Sequence, residues 1–111
     1  MELYRPGELA VRATSSRPAT AIVHDVPDVR MLVFRIAPGQ SVPLHTNAAT
    51  VILTVLEGHG RIAGADGEQP VTAGNVIAFA PHEPHGMRAI DTEFTLVATI
   101  SPNPSARTGV A

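Results

Sequence analysis

The chain predicts an all-β, single-domain fold, and three observations carry that expectation. No stretch sustains the 3.6-residue apolar period of an amphipathic helix. Ten prolines and nine glycines cut the 111 residues into short pieces. The pieces between them are rich in Val, Ile and Thr, and the longer ones alternate with a period of two. Short β-branched runs separated by turn residues are the pattern of a sandwich or barrel.

The elements follow in order. Strands are expected over residues 9–13 and 20–24, within a leading segment 1–30. A strand over 30–36 ends at the Pro38-Gly39 turn, and the next spans 51–56. Strands over 60–63 and 68–72 flank Ala65-Asp66-Gly67, a hairpin signal, because Asp-Gly accepts the positive φ angles of tight primed turns. Ala73-Gly74 turns the chain into 76–80, and strands over 85–89 and 93–101 complete the set. Residues 102–111, with Pro102, Pro104 and Gly109, have little to bury and are expected to fray.

Two of these runs carry histidine on their more apolar face. From residue 45 onward, His45, Asn47, Ala49, Val51, Leu53 and Val55 share one side, against Thr46, Ala48, Thr50, Ile52, Thr54 and Leu56. From residue 85, His85, Met87 and Ala89 oppose Gly86, Arg88 and Ile90. A polar side chain facing a core costs about 1–3 kcal/mol unless it finds a partner. Two such residues in strands that can meet point to a site, with Asn47 beside them.

Composition excludes several chemistries. Hydrophobic content of 44% and a charged fraction of 16% are those of a globular domain. The net charge of −2 leaves no basic footprint for nucleic acid. No apolar run is long enough to cross a bilayer, and no leader pattern is visible, so a soluble, cytoplasmic protein is expected. Without cysteine there is neither disulfide nor thiol nucleophile. All eight basic residues are arginine, so no lysine can form a Schiff base.

The spacing of these residues resembles the cupin superfamily. Its first motif opens with Gly, five residues, His, one residue and a second His. Here Gly39 stands before His45 at that spacing, Asn47 takes the place of the second His, and Gly58 closes the motif. Val51 stands where the motif has Glu. In the second motif Gly74 and His85 fall at the family positions. Ala80 replaces the proline, with Pro81 one place late, while His82 and Ala89 replace the glycine and asparagine. The resemblance covers about residues 31–101 and implies a jelly-roll-like β-barrel. It also implies a divalent transition metal, Zn, Ni, Fe or Mn, held by His45, Asn47 and His85. The missing histidine and glutamate imply in turn that this site is weakened or lost, because an amide oxygen is a poor ligand and no carboxylate offsets the charge. The sugar-epimerase branch of the family pairs a histidine with a barrel tyrosine, and the only tyrosine here is Tyr4.

Phe34, Val51, Leu53, Phe79, His82, Met87, Phe94 and Leu96 are expected to line the ligand pocket. Three readings follow. The first is a small-molecule-binding barrel of unassigned role, with or without a metal. The second is a metal-dependent dioxygenase or isomerase acting on a small acid or sugar, its site completed by Asn47, His82 or Glu83. The third is a fully packed barrel serving only as an interaction module. A homodimer is also expected, since Ile52, Leu56 and Val97 leave outer sheet faces partly apolar, and the resemblance points the same way.

Overall fold

The computed structural model describes residues 1–9 and 12–105. Among these residues the strands are β1 (Ala19–Val26), β2 (Val29–Ile36), β3 (Ser41–His45), β4 (Thr50–Glu57), β5 (His59–Gly64), β6 (Gly67–Thr72), β7 (Val76–Phe79), β8 (His85–Ala89) and β9 (Phe94–Ser101). They form a five-stranded sheet in the order β1-β2-β9-β4-β7 and a four-stranded sheet in the order β3-β8-β5-β6. All pairings are antiparallel. The result is the expected all-β architecture, a jelly-roll-like sandwich of two sheets around one core.

Period-two alternation builds that core. Val51, Leu53 and Val55 of β4, Met87 and Ala89 of β8, and Phe94, Leu96, Ala98 and Ile100 of β9 all turn inward and are buried. Burying each large aliphatic or aromatic side chain contributes about 1.5–3 kcal/mol, and these rows from both sheets interdigitate between the layers.

The turns hold where the punctuation placed them, with two differences. The β5–β6 hairpin reverses at Ala65-Asp66, with Gly64 opposite Gly67. Its only positive φ belongs to Gly67, at 117°, so this is not the primed turn with two left-handed residues that Asp-Gly suggested. The run beginning at His45 is also not one strand: β3 ends at His45, residues 46–49 form a loop, and β4 starts at Thr50. The inward parity survives the break, and Ala49 is as buried as Val51.

The strand expected over 9–13 falls partly outside the described residues; Leu9, Arg12 and Ala13 are not in a strand. What precedes β1 includes a short 3-10 turn, Pro6–Glu8, that meets the outer face of the five-stranded sheet. Arg35 anchors it there. This outward-pointing residue of β2 is only 3% exposed, and its guanidinium donates to the carbonyls of Gly7 (2.9 Å) and Leu9 (3.1 Å) while facing Glu93 (3.4 Å). β1 itself pairs with β2, so the leading segment is part of its own sheet. That face is therefore less bare than its sequence suggested: Val97 is 5% exposed, and Ile52 and Leu56 are half-buried. No helix is long and apolar enough to cross a membrane among the described residues.

Candidate functional site

The histidines meet because β3 and β8 are neighbours. The ladder sets Val42 opposite Met87 and, after an irregularity, His45 opposite His85. The two imidazoles contact each other edge-to-face, with centroids 4.2 Å apart and planes at 62°. His85 is buried and has the Phe79 ring 5.0 Å away on another side, whereas His45 is exposed at the mouth.

Backbone carbonyls orient both rings. His45 Nδ1 lies 2.9 Å from the carbonyl oxygen of Pro43, and His85 Nδ1 lies 3.0 Å from that of Glu83. A carbonyl can only accept, so each Nδ1 carries a proton, and Nε2 is the atom that bears a lone pair in the neutral ring. Burial holds the His85 pKa below the ordinary imidazole value, against the raising effect of its bond to Glu83; the neighbouring His45 adds to the lowering. The buried member of the pair is thus biased towards its neutral form.

A cavity of about 40 Å³ adjoins the two rings, lined by Phe34, His45, Asn47, Val51, Leu53, His85, Met87, Ala98 and Ile100. A water needs at least about 10–15 Å³ of such space, so this holds roughly one to three small guests without rearrangement. The sandwich is therefore not packed solid at its histidine end. Asn47 reaches this wall, but its Oδ1 accepts the backbone N–H of Ala49 at 2.9 Å. Its amide NH2 is the group that remains for a guest.

The structure places the other expected residues as follows. Phe34, Val51, Leu53 and Met87 line the cavity with the histidines. Phe79 touches the His85 ring but also walls a separate open groove of about 240 Å³, together with Ile62, Ile77, Asp66 and Glu83. Phe94 and Leu96 are fully buried deeper in the core and are not on the cavity wall. His82 is exposed in the 80–84 loop, where its backbone N–H, not its ring, bonds the Asn47 carbonyl at 2.7 Å. Glu83 accepts the N–H of Ala80 through Oε1 at 2.9 Å and so braces its own loop. Ala98 and Ile100 were missed by sequence reasoning, although they share the inward parity of Phe94 and Leu96 on β9.

These donors do not fit a resident divalent metal. No three His, Cys, Asp or Glu side chains converge among the described residues. What converges is two neutral imidazoles and an amide whose oxygen is already bonded, inside apolar walls. A divalent ion there would lack both a full ligand set and a compensating negative charge.

Residues 32–101 match the model of the Cupin domain family. An RmlC-like cupin protein from Desulfovibrio desulfuricans is 30% identical, covering 92% of this chain and 97% of its own, with a TM-score of 0.84. A conserved protein with a double-stranded β-helix domain from Klebsiella pneumoniae is 21% identical over 94% of this chain and 92% of its own, TM-score 0.84. A predicted oxalate decarboxylase from Thermotoga maritima is 20% identical over 91% of this chain and 99% of its own, TM-score 0.78. At these last two identities the likeness is one of fold. No curated protein matches the chain.

Proposed function

Because the chain belongs to the cupin family, we propose that it is a small-molecule-binding barrel whose ligand is received at the His45–His85 end. One observation carries this reading: two histidines whose rings are held through Nδ1 by backbone carbonyls, with Asn47 beside them, border a cavity otherwise walled by apolar side chains. Two acceptors and the Asn47 amide donor would suit a small protic group, such as a hydroxyl or a protonated acid, carried on an apolar body. The exposed ring of His45 stands where such a ligand would enter.

The second reading is a metal-dependent dioxygenase or isomerase acting on a small acid or sugar. It draws on the predicted oxalate decarboxylase among the structural neighbours, and it requires a ligand set that this chain assembles only in part. We further propose a homodimer. β1 is a sheet edge in the single chain, and its Ile22 and Val26 are exposed, an arrangement open to a second copy.

Titration of the isotope-labelled protein with small acids, diols and sugars, followed by NMR, tests the main reading. The ring signals of His45 and His85 and the methyl of Met87 should shift together, and His45→Ala with His85→Ala should abolish the effect. Shifts that survive in the double variant would place binding elsewhere. Oxygen uptake with the same acids would instead favour the enzyme.

A further inference from the structure

We infer that the end of the sandwich formed by His45, His85 and Met87 is a site for a soft monovalent cation, copper(I) in its chemistry, and not for a divalent ion. The inference rests on reading this cavity as a binding site and concerns which guest it prefers. His85 and Met87 are two residues apart on β8 and turn to the same inner face, with His45 directly across on β3. All three line one cavity.

Their chemistry is of one kind. Two imidazole nitrogens and a thioether are neutral donors, and the thioether is soft. Thioether ligands select copper(I), while carboxylate, carbonyl and water suit the harder divalent ions. Each Nδ1 faces a backbone carbonyl, which leaves Nε2 as the ring atom open to a cation.

Charge decides between +1 and +2. The idealised cost of moving an ion from water into an apolar medium rises as the square of its charge, about fourfold from one to two. The usual repayment is a carboxylate ligand. Val51 occupies the motif position of that carboxylate and lies on the cavity wall. Glu83, nearest in sequence to His85, is turned to the Ala80 N–H, and Glu68 is held between Arg61 and Arg88 on the outer face. Phe34, Leu53, Ala98 and Ile100 close the remainder with hydrocarbon and offer no further oxygen ligand to a divalent ion. Every feature that weakens the family's divalent site thus favours a soft monovalent one.

Anaerobic competition of the whole protein against a chromophoric copper(I) chelator, with silver(I) as the redox-inert probe and zinc(II) and nickel(II) as divalent probes, tests this. The expected result is one equivalent of copper(I) or silver(I), bound at least about 100-fold more tightly than zinc(II) and lost in His45→Ala with His85→Ala. Met87→Leu, nearly isosteric and so fold-preserving, should weaken silver(I) about tenfold or more and leave zinc(II) unchanged. Asn47→His with Val51→Glu should reverse the order in favour of zinc(II). Zinc(II) binding as tightly as silver(I) in the native chain would overturn the proposal, as would silver(I) affinity indifferent to Met87→Leu. If no metal binds while small acids still shift the histidine signals, the cation proposal fails and the small-molecule reading stands. If neither binds, both fail.

Discussion

His85 combines burial, a ring-to-ring contact with His45 and a bond to the Glu83 carbonyl, and it makes the site sensitive to pH. Its folded pKa lies below the unfolded value near 6.5, so the unfolded chain binds the proton more readily. The stability tied to neutral His85 is present above that pH and is lost as pH falls through the folded value. Melting temperature should therefore decline on acidification below pH 6.5, and the decline should be shallower in His85→Gln. The carboxylates held low by partners, Asp25 beside Arg30 and Glu68 beside Arg88, add their own loss only in stronger acid, below their ordinary values. A melting series that is flat down to about pH 5 in the native protein would contradict this assignment. His82 is strained differently. It occupies a glycine position of the second family motif and keeps the glycine conformation, with φ at 67°. A left-handed non-glycine residue costs about 1–2 kcal/mol, partly recovered in the entropy that glycine loses on folding. His82→Gly should stabilise the protein by about 0.5–1 kcal/mol in urea unfolding, with the Asn47 carbonyl still bonded.

Among the elements, the 3-10 turn and the face of β2 depend on each other through Arg35. Its bonds to Gly7 and Leu9 tie this segment to the sheet, and its Nε is buried without a partner among the described residues. Arg35→Met keeps the side-chain length and removes the charged donors. It should destabilise the fold by about 1–3 kcal/mol and raise amide exchange at residues 6–9 well before β9 exchanges. Uniform exchange across both regions would show that the segment is not held by this residue. The β4–β5 turn depends instead on Gly58, where φ is 75° and a Cβ would collide with the Glu93 carbonyl. Gly39 and Gly74 are left-handed too, so the rhythm of motif glycines reflects a set of backbone turns.

For the whole molecule, the proposed homodimer rests on the edge strand β1. Sedimentation equilibrium at micromolar concentration should give twice the 11.6 kDa chain mass. Ile22→Lys should return it to monomer, since a lysine on a sheet edge opposes further pairing. A native chain that sediments as a monomer would remove this part of the reading. The sheet order itself bears on the site, because β3 is a sheet edge whose His45 is exposed, while His85 on β8 beside it is buried.

Sequence alone determined which side of each strand faces inward, because side-chain direction in a strand has a period of two whatever the strand pairs with. Val51, Leu53, His85 and Met87 were legible in that way, and the turns at Gly39 and Gly74 from their glycines, whereas Asn47 reaches the cavity from the 46–49 loop and His45 from the exposed end of β3. Depth along the strand was not legible. Phe94, Leu96, Ala98 and Ile100 share a parity, yet only the last two reach the cavity, since Ala98 pairs with Leu53 and Ile100 with Val51. Register is a property of two strands at once, and no periodicity within one of them encodes it. The same holds for the polar groups. Proximity in sequence made Glu83 and His82 candidates for the site, but a local hydrogen bond turns the Glu83 carboxylate to the Ala80 N–H, and neither residue lines the cavity. Arg35 points outward by parity, and only the chain's own N-terminal segment folding back over that face makes it a buried residue.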